Sequence, residues 1–165
     1  MKLSIIACVG KNLELGRDND LIFHIKEDMK YFKEVTLNHI VVMGRKTFES
    51  LPGILKDRKN VVISRNKNNF PNEVEVYPSI EEFMNTYKDY QDEIFVIGGA
   101  SIYKQFLNYC DNLYLTEVDK TTLADVYFPE FDKRNYKKEI VKSGESKTLK
   151  YDFVIYRRKE WVNLL

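Results

Sequence analysis

An alternation that runs through most of the chain and then stops limits the available folds more than any other feature. Residues 2–9, 39–43 (HIVVM), 60–64 (NVVIS), 73–77 (EVEVY) and 93–97 (EIFVI) are short β-rich runs, apolar enough to be buried on both faces. Helical periodicity falls between them, over residues 25–36, 47–51, 80–90 and 101–109. Ser79 and Glu82 form a capping box at the start of the third helix, and Gly98-Gly99 leads into the fourth. Residues 112–119 (NLYLTEVD), 137–142 and 151–158 (YDFVIYRR) are then strand-like with no helix between them. The pattern predicts an α/β fold: a mixed, mostly parallel sheet, helices on both faces and an antiparallel, hairpin-like C-terminal edge strand. Ligand sites in such sheets belong at the carboxyl ends of the strands.

With 165 residues, no internal repeat and no Pro/Gly/Ser linker, the chain reads as one domain over residues 1–165, large enough to bury roughly 70% of its unfolded surface. Its 26 Lys and Arg against 25 Asp and Glu leave a net charge of +1, so no global field draws in nucleic acid or an anionic membrane. The last 34 residues hold ten basic and five acidic groups, which reads as a solvated strand face. The apolar stretch at residues 3–9 is far short of the roughly 20 residues of a membrane span, and it makes a poor signal peptide. A cytoplasmic protein, a monomer, is expected. Cys8 in an apolar strand and Cys110 near a helix end read as buried reduced thiols, and no metal-ligand spacing occurs.

At about 100° per residue, the helix over residues 25–36 gathers Ile25, Met29, Phe32 and Thr36 into a stripe for the core. Asp28 falls between Ile25 and Val35, on the flank of that stripe, a charge out of place. It is either a part-exposed residue bonded to nearby backbone or a buried acid matched to a cationic or amidine-like group. The long, structureless loop over residues 10–24 just before it has the character of a lid.

Three strand ends carry anion-compatible turns: Gly44-Arg45-Lys46-Thr47, Ser64-Arg65 and Gly98-Gly99-Ala100-Ser101. Together they suggest a dinucleotide, although neither G-x-G-x-x-G nor G-x-x-x-x-G-K-[ST] occurs. Two Arg residues at separate strand ends suit a ribose 2′-phosphate, which points to NADPH.

Taken in chain order, the pieces resemble the dihydrofolate reductase family. They are Ile6-Ala7, Leu15-Gly16 with Asn19, Asp28 with Phe32, the run from Val42 through Gly44, Arg45, Lys46 and Thr47 to Ser50, and Ser64-Arg65. Ile97-Gly98-Gly99 with Ile102-Tyr103, then Tyr114-Leu115-Thr116, then Asp125 with Phe128-Pro129, complete the series. The resemblance implies eight strands and four helices around a cleft for NADPH and the pteridine of dihydrofolate, with tetrahydrofolate as product in support of one-carbon metabolism. In that light Asp28 binds the 2-amino group and adjacent ring nitrogen, Thr116 bonds the same carboxylate, and the acid assists protonation of the substrate imine. Ile6, Ala7, Phe32, Leu51, Leu55 and Ile97 would surround the substrate, and Arg58 would pair with its glutamate carboxylate. The cofactor would fall to Ala7, Leu15, Gly16, Asn19, Leu21, the strand-end residues Gly44 to Thr47, Ser64, Arg65 and the run from Ile97 through Ala100, Ser101 and Ile102 to Tyr103. A cis peptide between the two glycines is also implied.

Many family members carry Pro-Trp before the first helix, where this chain has Leu21-Ile22-Phe23. Phe23, at this catalytic position, has no donor to hold a water, and Ile22 lacks the fixed φ of proline. Two other functions share part of the pattern. A same-fold pyrimidine reductase of riboflavin synthesis would keep the nicotinamide turns without needing Asp28, and a silent NADPH- or folate-binding protein would fit the loss of Pro-Trp.

Overall fold

The structure, a computed structural model, describes residues 1–159; Glu160, Trp161 and residues 162–165 lie outside the described residues. In chain order the elements are β1 (Lys2–Val9), β2 (Glu14–Arg17), β3 (Asp20–Leu21), α1 (Lys26–Thr36), β4 (Ile40–Gly44), α2 (Arg45–Ser50), β5 (Lys59–Ile63) and β6 (Glu75–Tyr77). There follow α3 (Ile80–Thr86), β7 (Glu93–Gly98), α4 (Ala100–Phe106), β8 (Asn112–Val118), β9 (Val126–Tyr127), β10 (Tyr136–Ser146) and β11 (Leu149–Arg158). Eight strands make one sheet in the order β10-β11-β8-β1-β7-β4-β5-β6. β1, β4, β5, β6, β7 and β8 pair in parallel, and β11 runs against β8. The reversed strand is therefore one in from the edge, and β10, antiparallel to β11, closes the sheet.

Alternation along the strands separates two cores. Ile5, Val42, Val61, Ile94, Val96, Leu113 and Leu115 pack with Ile80, Phe83, Ile102 and Phe106 of α3 and α4. Their chain neighbours Ile6, Val41, Met43, Val62 and Phe95 face the other way, against Phe32 and Val35 of α1 and Phe48 of α2. A third cluster of Phe23, Ile25, Val118, Tyr151 and Phe153 continues the α1 side, with Cys8 and Tyr31 packed on it. Burying both faces requires the near-continuous apolar runs seen in the sequence. Among the described residues no helix is long and apolar enough to cross a membrane.

Three expectations are corrected. Residues 10–24 are not structureless, because β2 lies between β3 and β9 in a small second sheet. The β2–β3 hairpin turns on Asp18 and Asn19, both at positive φ (53° and 63°), residue types that tolerate the left-handed region a tight two-residue turn demands. On α1, Met29 is 64% exposed, whereas Tyr31, Phe32, Val35 and Thr36 are the residues turned to the sheet. Ile25 is the extended residue before the helix (φ −107°, ψ 119°), so the 100° step cannot be counted from it. Finally, α3 stops at Thr86 and α4 tightens into a 3-10 turn over Leu107–Tyr109, both short of the expected helix ends. At the start of α3, Ser79 accepts a hydrogen bond from the Glu82 backbone N–H, as its motif predicts.

Candidate active site

Correcting the α1 stripe moves Asp28 from its flank onto the sheet-facing side, in the helix's first turn. β1 and β8 run parallel in a register that sets Cys8 beside Thr116. The Thr116 hydroxyl, on a residue only 2% exposed, donates to Asp28 Oδ1 at 2.5 Å. Burial raises the pKa of the Asp28 carboxyl above its ordinary value, opposed by hydrogen bonds from Thr116 and from the Cys8 thiol. The result is a half-buried acid whose proton affinity is set by its surroundings.

The expected apolar substrate residues gather on the same face, except Ala7, which packs on the opposite one. Ile6 is in the core there, and Phe32, Leu51, Leu55 and Ile97 pack against that cluster. Arg58 lies toward the far end of α1. Its Nε donates to the Lys56 carbonyl at 2.9 Å and its Nη1 to Thr36 Oγ1 at 3.3 Å. Thr36 in turn donates to the Phe32 carbonyl at 2.7 Å, fixing the guanidinium to the last turn of the helix.

Five residues expected at the cofactor fall on the opposite face. Leu15, Ile102 and Tyr103 belong to the α3–α4 cluster, with Ala7 and Ala100 packed on it. The two groups meet at the end of β7, where Val42 pairs with Val96 but Met43 pairs with Gly98, leaving Ile97 without a partner on β4. Such a bulge beside a cleft re-aims one side chain. The Gly98–Gly99 peptide is cis and Gly98 has φ +122°. A Cβ on Gly98 would stand 3.2 Å from Tyr103 Oη, which itself donates to the Ile6 carbonyl at 2.8 Å. A Cβ on Gly99 would come 3.4 Å from Thr47 Oγ1, so the turns after β4 and β7 are in contact.

β7, β4 and β5 are adjacent and parallel, so the three anion-compatible turns share one edge of the sheet. Gly44 and Gly99 precede α2 and α4 with no side-chain cap. Lys46, Arg65 and Ser101 are exposed, and Ser64 Oγ donates to the Asn66 carbonyl at 2.8 Å. Arg45 is paired with Glu49 at 2.9 Å. Gly16 pairs with both Leu21 and Val126 in the small sheet, with Asn19 in its turn and Leu21 exposed. Phe23 is a buried ring of the third cluster.

Two residues escaped the sequence reading. Cys8 looked like any thiol in an apolar strand, yet it stands in register with Thr116, the residue that bonds the acid. Glu14 is 1% exposed and holds two loops: Oε1 accepts from Asn12 N at 2.7 Å and Oε2 from Thr122 N at 2.9 Å. A charge flanked by Leu13 and Leu15 was its only signal. Among the described residues no cluster of His, Cys, Asp or Glu is placed to hold a metal ion.

Comparison with known proteins places this geometry. A family model described as Dihydrofolate reductase matches residues 2–158. The dihydrofolate reductase of Bacillus subtilis (strain 168) is 36% identical over 160 residues, 95% of this chain and 95% of its own length. The type 15 enzyme of Escherichia coli is 40% identical over 131 residues, 79% of this chain and 83% of that protein. Dihydrofolate reductase from Enterococcus faecalis, solved in complex with NADP(H) and RAB-propyl, superposes with a TM-score of 0.87 at 28% identity, covering 96% of this chain and 97% of that one. Matched almost end to end by the family model and by relatives of similar length, the protein belongs to the dihydrofolate reductase family.

Proposed function

We propose that this reductase converts 7,8-dihydrofolate to 5,6,7,8-tetrahydrofolate with NADPH, and that Asp28 is the acid that grips the pteridine. The observation that carries the assignment is the half-buried Asp28–Thr116 pair in the first turn of α1. A carboxylate there accepts two N–H groups from a 2-amino-pyrimidine ring, and its negative charge favours a proton on the neighbouring imine nitrogen. Thr116 fixes the carboxyl plane. Ile6, Phe32, Leu51, Leu55 and Ile97 exclude water from the ring and linker, and Arg58 takes the carboxylate of the tail. Phe23, buried and without a donor, seals the loop side.

The cofactor's place is supported by the bare backbone at Gly98 and Gly99, where Tyr103 leaves a side chain on Gly98 no room and Thr47 closes on Gly99. Ala7, Ile97, Gly98, Gly99 and Tyr103 would hold the nicotinamide end. Gly44 to Thr47, Ser64, Arg65 and Ala100 to Ile102 would hold the phosphates, and Leu15, Gly16, Asn19 and Leu21 would cover them. NADPH, when bound, supplies the hydride for the imine carbon. The chain's own contribution is placement and one tuned acid. The pyrimidine-reductase alternative gives Asp28 and Thr116 no task. Free thiols at Cys8 and Cys110 suit a reducing cytoplasm, and a net charge of +1 gives nucleic acid little to bind. We take the protein to act as a monomer.

The test follows NADPH oxidation with dihydrofolate and, in parallel, with the ribosylated pyrimidine. Asp28→Asn should cut turnover with dihydrofolate by at least ~10²-fold near neutral pH, the scale of a positioned acid. Oxidation with the pyrimidine alone, or near-normal turnover of Asp28→Asn, would sink the assignment.

A further inference from the structure

The first turn of α1, which carries Asp28, has no side-chain cap. Ile25 precedes it with extended backbone, and the first closing bond runs from the Met29 N–H to the Ile25 carbonyl at 3.0 Å. Without a cap, the start of the helix is placed by whatever its own side chains bond. Here two consecutive side chains reach two neighbouring strands. Asp28 accepts from the Thr116 hydroxyl on β8, and Glu27 Oε1 accepts from the Tyr151 hydroxyl on β11 at 2.7 Å. The register of β8 and β11 pairs Thr116 with Phe153, two residues from Tyr151 and on the same face of the sheet. One turn on from Glu27, Tyr31 packs on that Phe153 ring with centroids 4.4 Å apart.

We propose that Glu27 is a positioning residue for the reductase reaction, its bond to Tyr151 setting the first turn of α1 on the sheet and so fixing where Asp28 presents its carboxyl. The inference rests on Asp28 being the acid that binds substrate.

The neighbouring strand is shaped around this bond. Gly144 on β10 is the register partner of Tyr151, and a Cβ there would collide with Glu27 Oε1 and stand 2.6 Å from the Tyr151 ring. Only bare backbone at that place lets the two side chains meet. Glu27 in turn pushes the Tyr151 phenol up to about 12, and the phenol holds Glu27 below the ordinary carboxylate value, so donor and acceptor keep their roles through the neutral range. The Lys142 ammonium also lies 3.5 Å from Glu27, but its side chain is 46% exposed, and so open an ion pair contributes little. The hydrogen bond is therefore the contact that fixes the helix.

The experiment uses the full chain and four variants. Tyr151→Phe drops only the hydroxyl, Gly144→Ala crowds the bond from β10, Glu27→Ala removes the acceptor and Glu27→Gln keeps one. Exchange of the Met29 amide is followed without substrate, against the Leu37 amide, which bonds the Lys33 carbonyl at the far end of α1. KM is measured for dihydrofolate and for NADPH. Tyr151→Phe, Gly144→Ala and Glu27→Ala should each speed Met29 exchange about fivefold and leave Leu37 unchanged, the scale of one hydrogen bond net of water. The same three should raise KM for dihydrofolate by a similar factor with KM for NADPH unmoved, whereas Glu27→Gln should stay within about twofold of the wild type in both readings. A contact that served stability alone would lower the amount of active enzyme and leave both KM values where they are. An unchanged Met29 amide, KM values that move together or not at all, or equal behaviour of Glu27→Gln and Glu27→Ala would overturn the role of Glu27. Because the exchange needs no turnover, that failure is read separately from failure of the acid, which an active Asp28→Asn reports.

Discussion

Under the proposed function, the chemistry of a single carboxyl bears on both activity and stability. Asp28 has a folded-state pKa raised by burial above its ordinary value, so the folded protein binds that proton more tightly than the unfolded chain. Above the folded-state pKa its ionised form weighs against folding; below the unfolded value the cost vanishes. Asp28→Asn should therefore raise Tm at about pH 8 and leave it nearly unchanged at about pH 3, as thermal unfolding at the two pH values would read. The variant that loses turnover would be the more stable one, the usual conflict between a working site and its scaffold. The acid was visible in the sequence as a charge beside apolar positions, but its direction was not, because Ile25 precedes the helix and misleads the angular count. Cys8 was invisible for a different reason: a thiol in a buried strand looks the same whatever residue stands beside it.

Among the elements, the parallel strands were the most legible, since burial on both faces leaves mostly apolar side chains between turns. β2, β3 and β9 were hidden because four residues or fewer show no alternation, and β2 is held partly by a side chain. Glu14 spans from its own loop to the loop between β8 and β9, and although burial raises its pKa, the backbone N–H groups of Thr122, Glu14 and Asn12 bring it below the ordinary carboxylate value. A depressed carboxylate stabilises above its unfolded-state pKa and loses that contribution as pH falls through its folded-state pKa. Glu14→Gln replaces one acceptor by an amide N–H₂ and should cost about 1–3 kcal/mol locally, the penalty of an unmet buried donor. Amide hydrogen exchange at Asn12 and Thr122 should accelerate in the variant while that of the central strands stays unchanged. In the wild type the same two amides should loosen as the solution is acidified.

Across the whole molecule, the proposed function makes α1 a spacer between two grips. Asp28 and Thr36 are eight residues apart along the helix, a rise of about 12 Å, and Arg58 is tied to Thr36. Leu15, Ile102 and Tyr103 of the expected cofactor set lie on the other face of the sheet, and the two sets meet at the bulged end of β7. Arg58→Ala should raise KM for dihydrofolate by ~10-fold or more while kcat changes far less, because a tail contact made equally in ground and transition states alters binding alone. A dihydropterin carrying no glutamate is anchored at one end only and cannot register the missing guanidinium. To that shortened molecule the wild type and the Arg58 variant are one catalyst, and only the full-length vitamin tells them apart.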